Sequence, residues 1–104
     1  MNNKQKGICF LAMYTFGFGN QKDVAIEEMS ELIKEIVKDK RGLTDRNHLL
    51  EELVDVEIML LQLKKIYMFS DTELNEMMER KINRLSTYIT QYEALEELDN
   101  VSRL

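Results

Sequence analysis

Apolar residues recur along this chain at helical spacing. Ala25, Met29, Leu32, Ile33 and Ile36 return every three or four positions on one arc. Leu74, Met77, Met78, Ile82, Leu85, Tyr88, Ile89 and Tyr92 form a second stripe of the same period. Between them, Leu49, Leu50, Leu53, Val54, Val56, Ile58, Met59, Leu60, Leu61, Leu63 and Ile66 leave a segment apolar almost all round, which predicts a central, buried helix. The punctuation agrees. Asn20 is placed to cap a helix over 21–40, with Asp23 in its first turn, Lys38 and Lys40 in its last and Gly42 as the stop. Thr44 and Asp45 offer the cap for a helix over 45–68. Ser70-Asp71-Thr72-Glu73 reads as a capping box opening a helix over 71–98. A short N-terminal helix, ended near Gly17 and Gly19, completes the expected set. The fold class is therefore all-α, an antiparallel four-helix-bundle type, with residues 1–104 as a single domain. The absence of proline suits such long helices.

Helix length points beyond a single copy. A helix over 71–98 would run about 42 Å at 1.5 Å per residue. A compact domain of about 100 residues is only about 34 Å across, judged from its expected radius of gyration. The later part of the stripe, Tyr88, Ile89, Tyr92 and Leu95, then needs another surface, so the bundle is expected to be completed by dimerisation.

Composition narrows the function classes. Hydrophobic residues at 44% and charged residues at 32% describe a soluble globular chain, neither a disordered tail nor a membrane protein. Fourteen basic against nineteen acidic residues give a net charge of −5, which argues against nucleic-acid binding through a basic surface. A phosphorylated ligand would then need positive charge from elsewhere, and a divalent metal is the obvious source. Cys9 is the only cysteine, which excludes a disulfide framework and makes a cytoplasmic setting the default. Lys4 and Lys6 ahead of the apolar run from Ile8 to Phe18 imitate a signal peptide. Gly17 within the run and the lack of a small-x-small site favour a short buried helix.

The informative residues are charges set where the pattern wants apolar groups. Glu28 borders the arc of the second helix and Glu31 follows on the same side. An i, i+3 pair has side chains roughly 5–6 Å apart, suited to sharing a cation. Glu27, Glu35 and Lys38 fall on the outer side and read as solvated surface. In the third helix Glu52 and Asp55, again three apart, sit among Val56, Ile58, Met59 and Leu63. A buried carboxylate without a partner is strongly unfavourable, so two of them require an explanation. Lys81 lands inside the stripe of the fourth helix and Arg84 at its edge. An acidic quartet for hard cations, with cations nearby for phosphate oxygens, accounts for both signs. Blander readings are a surface acid pair, a snorkelling Lys81, a rim salt bridge at Arg84, or buried Lys81–Asp55 and Arg84–Glu52 pairs without metal.

Other chemistries fit poorly. His48 is the only histidine, too few for the paired Glu-x-x-His motifs of a di-iron bundle and without a Ser-His-Asp setting. Asp45-x-x-His48 has metal-like spacing, but a cap role suffices for Asp45. Phe16-Gly17-Phe18-Gly19 is too short for a phosphate-binding glycine loop. Cys9 reads as packing.

Taken together, Glu28-Met-Ser-Glu31, a twenty-residue gap and Glu52-Leu-Val-Asp55 resemble the Glu-x-x-Glu…Glu-x-x-Asp signature of MazG-like nucleoside triphosphate pyrophosphohydrolases. Phe16-Gly17 and Gln21 upstream and Lys81-x-x-Arg84 downstream extend the likeness over residues 8–90, in a small single-domain form of phage or bacterial type. The resemblance implies a homodimer or homotetramer that hydrolyses a nucleoside triphosphate, often a non-standard or deoxy one, to the monophosphate and pyrophosphate, as in nucleotide-pool house-cleaning. It implies Mg²⁺, with Mn²⁺ as substitute, held by Glu28, Glu31, Glu52 and Asp55, and leaves open which of the four serves as base. Lys81 and Arg84 would bind phosphate oxygens, and Gln21, Phe16 and Phe18 the base or sugar. The chain departs from relatives with Lys-x-x-x-Asn-x-x-Arg on the last helix, having Leu85 and Tyr88 there, and it has no tryptophan to stack on a base. The alternative reading is a non-catalytic helical dimer serving as an interaction or regulatory module.

Overall fold

In the computed structural model, which describes residues 1–104, the chain is all-α: α1 (Asn3–Phe16), α2 (Phe18–Lys40), α3 (Arg46–Ile66) and α4 (Asp71–Ser102). It divides into two units, Met1–Met68 and Phe69–Leu104. None of the helices is long and apolar enough to cross a membrane.

The first unit is built on α2 and α3, joined by a short connection. That connection is a tight helix stop. Gly42, at φ 71°, lets its own N–H reach Asp39 O (2.8 Å) and the Leu43 N–H reach Lys38 O (3.0 Å). These two bonds satisfy carbonyls left open at the helix end, in the pattern that favours glycine. Asp45 then caps α3, accepting from Asn47 N at 2.9 Å, as its position in the sequence suggested. The chain reverses over these few residues, so α2 and α3 run antiparallel.

α1 is the shortest of the four helices, 14 residues opened by a capping box between Asn2 and Gln5. It inserts Met13, fully buried, and Cys9 into the core formed with Ala25, Met59 and Ile66. Gly17 ends it at φ 93°, but α2 resumes at once at Phe18. Asn20 therefore does not cap α2. One turn inside that helix, its side-chain amide donates to Phe16 O at 2.8 Å, closing the end of α1 instead. Glycine alone supplies the break, because its positive φ costs no side-chain clash.

The buried faces also differ from the expected ones. The line of α2 turned inward runs through Gln21, Ala25, Glu28, Leu32 and Glu35, whereas Ile33 (62% exposed) and Ile36 (47%) face outward. In α3 the inward line is Glu52, Met59, Gln62 and Ile66. Leu50, Leu53, Val54 and Leu60 are exposed, so α3 is not surrounded on all sides within this chain. Its all-round apolarity belongs to two faces, one covered by α1 and α2 and one left open.

The second unit is α4. Ser70 and Glu73 form the expected capping box: Ser70 Oγ accepts from Glu73 N (3.1 Å) and Glu73 Oε2 from Ser70 N (2.7 Å). The helix continues four residues past the expected end, to Ser102. None of its residues is buried, and its apolar stripe, including Met77, Ile82, Leu85 and Ile89, lies about half exposed. Lys81 is accordingly exposed, not embedded in a covered stripe as its wheel position suggested.

Candidate metal centre

Three cross-helix pairings define the register between α2 and α3. Glu28 meets Asp55, Glu31 meets Glu52, and Glu35 meets His48, each step one turn further along both helices in opposite directions. The i, i+3 spacing on each helix thus turns two acid pairs into one cluster. Carboxylate oxygens of Glu28, Glu31 and Glu52 all lie within 4.8 Å of one another. Asp55 completes the group, its carboxylate within hydrogen-bonding reach of Glu28. Of the four acids singled out from spacing, three offer mutually close oxygens and the fourth, Asp55, lies beside Glu28.

The electrostatics of the cluster are those of a site short of positive charge. Burial, and then the negative charges of Asp55, Glu31 and Glu52, push the Glu28 carboxyl above its ordinary value. Glu52, only 6% exposed, is raised by burial first and then by Glu31 and Asp55, with His48 opposing. Glu28 Oε2 and Glu52 Oε2 are both buried with no hydrogen-bond partner. As carboxylates, the paired acids have no proton to donate to one another, and an added proton or a cation would satisfy these oxygens. Oxygen donors at this spacing could hold a hard cation rather than a soft one. The residues present therefore fit a divalent cation.

Glu35 corrects the expectation of a solvated outer face. It is 4% exposed and fully engaged. Thr44 Oγ1 donates to its Oε2 (3.0 Å), Lys38 Nζ donates to its Oε1 (3.2 Å), and His48 Nδ1 lies 3.2 Å from the same oxygen. The Thr44 bond leads in holding its carboxyl below the ordinary value against the cost of burial, helped by Lys38 and His48. Lys38 itself stays on the surface, with 55% of its side chain exposed. His48 also reaches the cluster, its Nε2 3.6 Å from Glu52 Oε1. Sequence reasoning passed over this pair, although Glu35 lies two turns beyond Glu28 on one face and His48 one turn before Glu52.

The remaining candidates are dispersed. Gln21 is buried on the inward line of α2, two turns before Glu28. Phe16 is 60% exposed at the end of α1, and the Phe18 ring packs on Tyr14 with centroids 5.5 Å apart. Lys81 and Arg84 belong to the second unit, where they line a shallow depression with Leu85 and Tyr88. Arg84 Nε donates to Tyr88 Oη at 2.7 Å, so Tyr88 orients the guanidinium. Comparison with family models, curated proteins and solved structures finds no match to this chain.

Proposed function

We propose that the chain is a Mg²⁺-dependent nucleoside triphosphate pyrophosphohydrolase, releasing pyrophosphate and the nucleoside monophosphate. The observation that carries the reading is the carboxylate cluster on α2 and α3, with two buried oxygens lacking any partner. The motif resemblance to MazG-like enzymes is its second support. Glu28, Glu31, Glu52 and Asp55 would hold the cation. Bound Mg²⁺ supplies charge neutralisation of a triphosphate and polarisation of its phosphoryl oxygens and of water. A carboxylate oxygen of the cluster not used as a ligand accepts the attacking water's proton. The resemblance alone assigns phosphate oxygens to Lys81 and Arg84, and base or sugar contacts to Gln21 and Phe16.

The same reading takes the working form as an oligomer, dimer or tetramer. Leu50, Leu53, Val54 and Leu60 on α3, and the half-exposed stripe of α4, are the apolar surface a second copy would cover. A non-catalytic helical dimer would use that surface equally well. It gives no reason for Glu28 and Glu52 at covered positions, where apolar residues of similar volume would serve stability as well or better.

The test is a panel of nucleoside and deoxynucleoside triphosphates incubated with Mg²⁺ and scored for pyrophosphate against orthophosphate. Pyrophosphate from at least one substrate supports the reading. Orthophosphate alone, or no turnover across the panel, overturns it.

A further inference from the structure

We infer that His48, anchored by Glu35, is a positioning residue that holds the Glu52 carboxylate ready for the cation; the inference rests on the cluster being a metal site. The two buried acids of this region behave in opposite ways. Both Glu35 oxygens are engaged, Oε2 by Thr44 and Oε1 by Lys38 and His48. Glu35 therefore has no free oxygen to offer as a ligand and works as a fixed post. Glu52 has no hydrogen-bond donor fixed on it: Oε1 lies at ion-pair distance, 3.6 Å, from His48 Nε2, its other near neighbour is the Glu31 carboxylate, and Oε2 is buried without a partner. The planar, rigid ring lies between the two carboxylates, Nδ1 3.2 Å from Glu35 Oε1 and Nε2 3.6 Å from Glu52 Oε1. Only as the imidazolium does it present an N–H to each, so that the edge paired with Glu35 sets where the other points.

That geometry addresses a specific cost. A glutamate has three side-chain torsions, and each must be frozen when the carboxylate binds a cation. His48, one helical turn before Glu52, restrains the carboxylate through Oε1 and leaves Oε2 for coordination. Thr44 sits in the connection, His48 in the first turn of α3 and Lys38 in the last turn of α2. The post is thus built from both helices and the turn between them. Partners behind a ligand typically change metal affinity by about 10–100-fold when removed.

The experiment is a Mn²⁺ titration of the full chain at fixed neutral pH, reading free Mn²⁺ by its paramagnetic resonance signal. Wild type, His48→Ala, His48→Gln, Glu35→Gln and Glu52→Gln are compared, with metal-free melting recorded for each. The expected result is at least about tenfold weaker Mn²⁺ binding for His48→Ala, with the metal-free melting temperature changed little. His48→Gln should recover part of the loss, because its amide can still donate toward Glu52. Glu35→Gln should weaken binding while leaving the four ligands intact. Should His48→Ala fail to fold, the comparison of His48→Gln and Glu35→Gln with wild type decides. Wild-type affinity in the His48 and Glu35 variants, with binding lost in Glu52→Gln, would overturn the positioning role and leave the metal site standing. No Mn²⁺ binding by wild type would remove the metal site, and the positioning role with it.

Discussion

Replacing Glu52 by Gln together with Asp55 by Asn keeps the shape of the α3 face and removes two of the four converging charges. In the metal-free protein this relieves repulsion, since Glu28 is burdened by Asp55 and Glu52, and Glu52 by Asp55. The double variant should melt at or above the metal-free wild type. Addition of Mg²⁺ should then separate them in the other direction. The unfolded chain does not assemble the cluster, so a one-site ligand at a hundredfold excess over its Kd stabilises the folded state by about 2.7 kcal/mol. For a unit of this size each kcal/mol moves the melting temperature by roughly 4–8 °C, giving a shift of roughly 10–20 °C for wild type. The variant, left with Glu28 and Glu31, should lose most of that shift. Circular dichroism melts in chelator and in Mg²⁺ measure all four values. Equal Mg²⁺ shifts in the two proteins would refute the assignment of the cation to these carboxylates.

Three further outcomes follow from local structure. Because the folded-state pKa of Glu52 is raised, its contribution to stability is present below the unfolded value near 4.5 and is lost as pH rises through the folded value. In chelator, the melting difference between Glu52→Gln and wild type should therefore be small at pH 4.5 and grow in favour of Gln toward pH 7; a constant difference would contradict the assigned cause. Met68 occupies the left-handed region at φ 58° and is 86% exposed, so Met68→Gly should be neutral or stabilising by up to about 1 kcal/mol in denaturant melts, whereas Gly42→Ala should destabilise by about 1 kcal/mol. Leu60, exposed on α3, should yield a smaller assembly in sedimentation when changed to Lys, and an unchanged sedimentation coefficient would remove that face from the proposed interface.

The acid quartet was legible because i, i+3 spacing survives any uncertainty about which neighbour a helix faces. Glu28 and Glu31, or Glu52 and Asp55, project together whether the helix packs left or right. The faces were harder to read. Ile33 and Ile36 joined Ala25 and Leu32 in one apparent arc, yet only the line through Ala25, Glu28 and Leu32 turns inward. A wheel averages a covered face and an uncovered apolar one into a single broad arc, and that average moved Glu35 outside. Had Glu28 been taken as the reference, Glu35, two turns on, would have followed it inward. Helix ends were legible where side chains do the capping, at Asp45 and Ser70. The end of α1 at Gly17 was legible too, but not that the same residue opens α2, with Asn20 capping backward. Lys81 illustrates the remaining difficulty: a stripe on α4 implies a covering surface, and the covering surface implied here is not part of the unit that carries it.

The central claim is that the cluster of Glu28, Glu31, Glu52 and Asp55 performs cation-dependent hydrolysis of a nucleoside triphosphate. Pyrophosphate release measured side by side for wild type and Glu52→Gln, at saturating Mg²⁺ and with folding verified by circular dichroism, tests it most directly. Wild type should release pyrophosphate, none should appear in chelator, and the variant should lose about a hundredfold or more, as for removal of a group acting on developing charge. Equal rates in the two proteins, or undiminished release in chelator, would contradict it.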